Sequence, residues 1–131
     1  MEDVKIKLSA LWVTHFLLWS FGDMLRLIQT GGIEKFIAEP VADELLLFVA
    51  VPLAVIQTFM ILISLMWEHK ANRLTNLGMG LLFIVVNMGH VADIVLSQLG
   101  IWEIQLVVVY LIFNVLVIKF AWEWRTQENS A

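Results

Sequence analysis

The dominant pattern in this chain is four stretches of about twenty residues that are almost free of charge. They cover residues 8–28, 45–67, 74–99 and 101–124. A helix of ~20 residues crosses a ~30 Å hydrocarbon core, and in lipid a helix satisfies its backbone amides within the segment. The pattern therefore predicts an all-α fold, with residues 1–131 forming one integral membrane bundle of four transmembrane helices.

The amino-acid composition is typical of a membrane protein and excludes several other kinds of protein and site. The chain is 60% hydrophobic and 15% charged, whereas soluble domains are about 45–50% apolar. No basic arm or face is present, so nucleic acid is not an expected partner. The absence of cysteine excludes disulfides and thiol catalysis. We expect the first apolar stretch to be a retained helix, because it is full-length and lacks an Ala-x-Ala cleavage pattern.

Lysine and arginine residues are distributed unequally between the two predicted membrane faces. Only Arg26 and Lys35 fall on one face. The other six lie near the two termini or in the link between the second and third helices: Lys5, Lys7, Lys70, Arg73, Lys119 and Arg125. The positive-inside bias therefore predicts that both termini are cytoplasmic.

The connections are expected to differ in structure. In the outer loop, residues 29–44, the spacing of Ile33, Phe36 and Ile37 predicts an interfacial turn of helix over the outer mouth of the bundle. In the inner link, Asn72 is a candidate cap for the third helix. Residues 98–100 predict a tight outer hairpin.

Small residues and a proline suggest local features within the helices. Pro52 should kink the second helix in its outer half and free a carbonyl near residue 48. The third helix carries Gly78, Gly80 and Gly89, and the second helix has an Ala-x-x-x-Ala step at Ala50 and Ala54. Small residues of this kind allow two helices to pack closely. We favour packing within one chain, with a homo-oligomer expected because so small a bundle has little interior.

Polar side chains inside the apolar stretches carry most of the functional information, because placing them in lipid is costly. Helical rise puts Asp23 and His90 in the outer half of the membrane, and Asn87 nearer the middle at a depth comparable to Gln57 and Asn114. Because Asn87, His90 and Asp93 share one face of the third helix, we expect these three residues and Asp23 to line a pocket open to the outer face. A second layer comprises His15, Gln57 and Asn114, with His15 expected nearer the cytoplasmic side.

Several interpretations of these residues stay open. Asn, Gln, Ser and Thr often serve as interhelical hydrogen-bonding groups without further function. Asp23 requires a partner, which could be Arg26 one turn away, His90 across the bundle, or water. A cluster of Asp23, His90 and Asp93 would suit a proton relay or a cation. As metal ligands these three residues form a weak set, and no cofactor is predicted.

Motifs at the helix ends resemble a family of small bacterial four-helix membrane proteins of unknown function, broadly similar to DoxX-like proteins. The resemblance rests on Lys5-Ile-Lys-Leu-Ser-Ala-Leu-Trp12, Asp23, Lys70-Ala-Asn-Arg73 with Asn76, and Ala121-Trp-Glu-Trp-Arg125. It implies a four-helix fold in a bacterial cytoplasmic (inner) membrane. Relatives often carry a carboxylate and then Ile-Pro in the second helix, where this chain has Val55-Ile-Gln57.

These observations favour a non-enzymatic, multi-pass membrane protein, since no catalytic signature is visible. Its polar pocket would bind or pass a small cation, a proton or a small amphipathic ligand. One alternative, which the DoxX-like resemblance suggests, is an accessory subunit of a membrane oxidoreductase that contacts a quinone or a partner protein. Another is a structural assembly partner without a ligand.

Overall fold

A computed structural model describes residues 2–96 and 100–129 of the chain. Every regular element in these ranges is helical, so the predicted all-α class is confirmed. We number five helices: α1 (Glu2–Ile28), α2 (Gly32–Ala38), α3 (Asp43–Met66), α4 (His69–Leu96) and α5 (Ile101–Asn129).

The helix ends differ from the predicted ones mainly at the chain termini and at the link between α3 and α4. The apolar pattern misses polar helical turns, so α1 begins earlier than residue 8 and α5 continues beyond residue 124. α4 begins at His69, so Asn72 lies in its first turn and the prediction that Asn72 caps α4 is wrong. Its side chain instead donates to the carbonyl oxygens of Ser64 and Trp67 at the end of α3. The hairpin predicted at residues 98–100 lies largely outside the described residues.

The outer loop contains the predicted short helix. α2 has seven residues and follows Gly31, whose φ of 75° lies in the left-handed region that favours glycine. Ile33, Phe36 and Ile37 on this helix are all at least half exposed. An interfacial helix presents such a face to the lipid headgroup region.

Pro52 disturbs α3 through a change of helix type rather than a break. The five residues Leu46–Ala50 immediately before it form a π-helical turn. Val51 donates to the carbonyl oxygen of Leu46, five residues earlier. Proline has no N–H to donate, and the wider turn lets the chain continue as a helix past it.

The long helices pack as neighbours in the order α3, α1, α5, α4. α1 packs against both α3 and α5, α5 also packs against α4, and the contact between α3 and α4 is the weakest of these neighbouring pairs. At one end, here called the terminal end, Val4 and Leu8 lie in one core cluster with Ala121 and Trp124. The opposite end, here called the loop end, carries α2.

The distribution of side chains is inverted relative to a soluble protein. Large apolar side chains are exposed along α3, α4 and α5, among them Phe48, Val85 and Ile101. The buried set includes nine polar or charged residues: Ser9, His15, Gln57, Ser64, Asn72, Asn76, Asn87, Glu103 and Asn114. Lipid in place of water around the bundle explains both features.

Three helices are long and apolar enough to cross a membrane: α3 (Asp43–Met66), α4 (His69–Leu96) and the Ile101–Trp124 part of α5. The chain is therefore a membrane protein with transmembrane helices by length and composition. α1 is 27 residues long but more polar. Part of this polarity is buried within the bundle, since His15 is 1% exposed.

The small residues of α3 and α4 have two distinct roles. At Gly80 an added Cβ would lie 2.7 Å from the Ile118 side chain, so this glycine allows close packing of α4 on α5. At Gly78 and Gly89 the Cβ would have no neighbour within 4 Å. Ala50 and Ala54 line a cavity instead of packing tightly on a helix.

Candidate functional site

Near the middle of the bundle, four buried polar side chains form one hydrogen-bonded chain, which we call the central network. His15 of α1 lies 2.6 Å from Gln57 of α3, measured from Nδ1 to Oε1. The other ring nitrogen, Nε2, lies 3.4 Å from Nδ2 of Asn87 on α4. That amide also donates to Oδ1 of Asn114 on α5 at 2.7 Å. All four side chains are at most 1% exposed, so the central network joins the four long helices in the core.

The partners of His15 determine where its proton lies. The side-chain oxygen of Gln57 only accepts hydrogen bonds, so Nδ1 of His15 donates to it. The Asn87 amide donates, which makes Nε2 the acceptor and the imidazole neutral. Asn87 Nδ2 carries two hydrogens and therefore serves both His15 and Asn114.

Aromatic rings surround the imidazole of His15. Its ring centroid lies 5.3 Å from that of Phe83 and 5.6 Å from that of Tyr110. The rings of Trp12 and Trp19 lie at 5.9 Å and 6.2 Å. This apolar surrounding excludes water and makes each hydrogen bond of the central network costly to lose.

A second polar cluster closes the terminal end, where α3 and α4 meet. Asn76 accepts a hydrogen bond from Trp12 Nε1 at 2.8 Å. Its Nδ2 donates to Ser64 Oγ at 3.3 Å and to Asn72 Oδ1 at 2.8 Å. These side chains, the polar joint, hold the α3–α4 link against α1.

At the loop end, Arg26 of α1 crosses to α5 and forms an ion pair with Glu103. Its Nη2 atom lies 2.6 Å from Glu103 Oε2, and its Nε atom lies 3.0 Å from the same oxygen. Nη2 also lies 3.1 Å from Nε2 of His90. Glu103 is only 3% exposed, and its second oxygen, Oε1, is buried without a hydrogen-bond partner among the described residues.

These groups border a cavity of about 560 Å³ in the loop-end half of the bundle. Its polar wall contains Asp23, Arg26, His90, Asp93 and Glu103. Its apolar wall includes Phe16, Trp19, Leu53, Ala54 and Leu106. A smaller cavity of about 280 Å³ lies beside α2 and shares Arg26, Asp93 and Glu103 with the first. The larger volume falls within the range of about 300–1,000 Å³ typical of small-molecule sites.

The structure brings together three of the four residues predicted to line the pocket. Asp23, His90 and Asp93 border the larger cavity, whereas Asn87 lies in the central network. His15 lies at the level of Gln57, so its predicted position nearer the cytoplasmic side is wrong. The count started at residue 8, but α1 begins at Glu2, so His15 lies farther from the helix end than the apolar pattern indicated.

Sequence reasoning missed Glu103 and the true partner of Arg26. Arg26 is one of the candidate partners of Asp23, but its ion pair in the structure joins it to Glu103. Glu103 is the third residue of α5, a position typical of a solvated carboxylate near the membrane surface. An unpaired basic residue within an apolar stretch was the available signal, since Arg26 requires an acidic partner somewhere.

The described residues contain no group of three or more histidine and carboxylate side chains placed to hold a metal ion. Asp23, His90 and Asp93 therefore do not assemble as a three-ligand metal site, although they border the same cavity. What the arrangement offers instead is a half-enclosed space with hydrogen-bond acceptors on one wall and aromatic and aliphatic side chains on the other.

Comparison of the chain with models of known protein families, with curated proteins and with solved structures finds no match. The resemblance to DoxX-like proteins therefore stays a prediction, and the functional argument depends on the geometry of the site.

Proposed function

We propose that this chain is a four-pass protein of a bacterial cytoplasmic membrane, with both termini in the cytoplasm, whose loop-end cavity binds a small ligand. In this proposal α1 crosses the bilayer together with α3, α4 and the apolar part of α5. The excess of basic residues at the terminal end supports a cytoplasmic location for that end. The proposal includes a homo-oligomer, because one copy of the bundle encloses little interior.

The observation that carries the proposal is the cavity of about 560 Å³, which is lined by both charged and apolar side chains. Its lining includes Phe16, Trp19 and Leu53, which lie within one helical turn of His15 or Gln57 and which we take as the floor of the cavity. Below it, Gln57 and Phe83 are completely buried and His15 is 1% exposed. A packed floor favours binding of a cation or amphipathic molecule over its passage through the bundle.

The hydrogen-bonding groups of the cavity lining also test the alternative function, an accessory subunit that contacts a quinone. Quinone carbonyl groups only accept hydrogen bonds, so a quinone site requires donors. Here the strongest donor, Arg26, is already occupied by Glu103 and His90. The carboxylate of Asp23 supplies a further acceptor. The wall chemistry therefore favours a ligand that donates hydrogen bonds or carries positive charge.

Thermal unfolding of the purified protein in detergent tests for a ligand. A panel should contain lipophilic amines, quinone analogues and inorganic monovalent and divalent cations. A ligand at about 100 times its Kd stabilises the folded state by roughly 2.7 kcal/mol, which raises Tm measurably. We expect at least one class to raise the Tm of the parent but not of Ala54→Trp, which fills the cavity.

Val55→Trp is the matched control, because Val55 is 45% exposed and adjacent in sequence. It should retain the ligand response of the parent. If no class raises Tm, or if Ala54→Trp responds like the parent, the cavity is not a ligand site. A response to quinone analogues alone would favour the accessory-subunit function instead.

A further inference from the structure

The two cavities at the loop end have part of their lining in common. Arg26, Asp93 and Glu103 border both the larger cavity of about 560 Å³ and the smaller cavity of about 280 Å³. Side chains that border two cavities lie between them. Two of these three residues, Arg26 and Glu103, form the ion pair described above, so the ion pair is part of the partition between the two spaces.

The smaller cavity has the lining of a water-filled space. Besides the three shared residues, it is bordered by the polar side chains of Gln29, Lys35 and Glu39. Removing charged groups from water is costly, so a space with so many of them in its lining is hydrated. α2 covers one side of it through Lys35 and Phe36, and every residue of α2 except Gly32 is exposed. The smaller cavity therefore lies at the water-facing end of the bundle.

The beginning of α2 is held against α1. An added Cβ at Gly32 would collide with the carbonyl oxygen of Arg26, so the backbones of the two helices are in close contact at this point. Gly32 also donates its backbone N–H to the carbonyl oxygen of Gln29 at 2.9 Å. The two cavities are therefore more easily joined by the movement of a side chain in the partition than by the movement of α2.

Arg26 is the partner in the ion pair that can move. Glu103 is 3% exposed and is therefore held by its surroundings, whereas Arg26 is 35% exposed. The guanidinium of Arg26 ends a long side chain with several rotatable bonds. Rotation of this side chain away from Glu103 would break the 2.6 Å contact between Nη2 and Oε2 without a change in the helices. Such a rotation would open the partition.

We propose that the smaller cavity is the aqueous entrance to the larger cavity, and that the ion pair of Arg26 and Glu103 is the gate between them. While the ion pair is formed, the two spaces are separate. When Arg26 turns away, a small water-soluble molecule passes beside α2 into the larger cavity. This inference deepens the proposed function and depends on it, because it states that the ligand arrives from water at the loop end and not from lipid.

Labelling of single cysteines tests the route without a ligand, because the parent chain contains no cysteine. Gly89 borders the larger cavity, and an added Cβ there has no neighbour within 4 Å, so Gly89→Cys supplies a reporter thiol. The probes are the methanethiosulfonates MTSET, a cation, and MTSES, an anion, whose charges keep them out of lipid. In lipid nanodiscs both faces of the bilayer are open to these probes, so the result does not depend on topology.

Both probes should label Gly89→Cys in the folded protein. Gly78→Cys is the matched control on the same helix, since Gly78 is exposed and borders neither cavity. Its thiol faces lipid in the proposed function and should stay unlabelled. Unfolding in SDS should make both thiols reactive, which shows that each is present and reduced.

Two substitutions test whether the probes enter through the smaller cavity. Val41 borders that cavity and not the larger one. Val41→Trp should slow the labelling of Gly89→Cys by about tenfold, because a bulky side chain must be displaced whenever a probe passes. Ile37→Trp is the matched control, since Ile37 is 73% exposed on α2 and borders neither cavity. It should leave the labelling rate unchanged.

Arg26→Gln tests the gate. Labelling of Gly89→Cys should become at least about tenfold faster, since a hydrogen bond to a charged group no longer keeps the partition closed. Both probes should be accelerated, whereas a change in charge alone would accelerate MTSET and slow MTSES. Val117→Cys reports general loosening of the fold, because Val117 is 1% exposed in the core cluster at the terminal end. It should stay unlabelled when combined with Arg26→Gln.

The outcomes separate this inference from the proposed function. The inference is overturned if Gly89→Cys is not labelled in the folded protein, if Val41→Trp and Ile37→Trp label alike, or if Arg26→Gln does not accelerate both probes. A Tm response to the ligand panel together with one of these results would keep the ligand site and assign its entry to the lipid side. The expected labelling without any Tm response would support the entrance and remove the proposed function.

Discussion

The imidazole Nδ1 of His15 lies 2.6 Å from Oε1 of Gln57, although the two residues are 42 positions apart in the chain. Both side chains are buried at 1% exposure or less. This hydrogen bond joins α1 to α3, and the other ring nitrogen of His15 extends the connection to Asn87 on α4. A single histidine therefore links three of the long helices.

His15→Leu should reduce the free energy of unfolding by about 2 kcal/mol, because it leaves Gln57 and Asn87 without their shared partner. A double-mutant cycle with Gln57→Leu should give a coupling energy of about 1 kcal/mol, in the range of hydrogen bonds within membranes. Unfolding in mixed micelles measures both quantities. Thr58→Val is the control, since Thr58 is exposed and bonds only to its own helix. A coupling energy near zero would contradict a shared network.

The effect of removing one partner of the Arg26–Glu103 ion pair on stability should depend on whether the other partner is still present. Arg26→Gln leaves the carboxylate of Glu103 buried without its counter-charge, which costs several kcal/mol when burial is complete. Arg26 is itself 35% exposed, so we expect a smaller loss of about 2 kcal/mol. The double variant Arg26→Gln, Glu103→Gln should recover at least half of that loss in thermal unfolding. Equal Tm values for the single and double variants would show that no unpaired charge is left behind.

Gly80 and Gly78 offer a matched test of helix packing. Gly80→Leu should reduce the free energy of unfolding by about 1–3 kcal/mol, because the new side chain would collide with Ile118 and force α4 away from α5. Gly78→Leu adds the same atoms where nothing lies within 4 Å. It should be neutral or slightly stabilising, since leucine favours helix more than glycine does. Equal effects at both positions would contradict the close approach at Gly80.

The proposed topology can be mapped with single cysteines, because the parent chain contains none. Glu39→Cys, in the loop after α2, should react with a membrane-impermeant maleimide in intact bacterial cells. Lys7→Cys should react only after the membrane is permeabilised, since the terminal end is expected to face the cytoplasm. Labelling of both positions in intact cells, or of neither, would contradict an odd number of crossings between them and hence a transmembrane α1.

The polar joint should control the stability of the link between α3 and α4. Asn76→Leu removes the acceptor of Trp12 Nε1 and the donor to Ser64, and leaves Asn72 with fewer partners. We expect a loss of about 1–3 kcal/mol and faster proteolysis at the link. Lys70→Gln, at an exposed position of the same link, should leave both properties unchanged. Resistance of Asn76→Leu to proteolysis equal to that of the parent would contradict this role.

Local sequence properties determined the elements of this protein. Apolar length marked the long helices, the spacing of Ile33, Phe36 and Ile37 marked α2, and Pro52 marked the distortion in α3. These features follow from backbone hydrogen bonding and from helix periodicity over a few residues. They do not depend on which helix lies beside which, so a single sequence contains them.

Tertiary structure alone decided which polar side chains meet. Helix rotation and stagger result from side-chain packing between distant segments, and a shift of one residue along α1 moves a side chain 1.5 Å along the axis and 100° around it. The sequence therefore could not show that Asn87 joins His15 and not the cavity, or that Arg26 reaches Glu103, 77 residues away. The same packing leaves the cavity that residues of all four long helices line, and the proposed function depends on it.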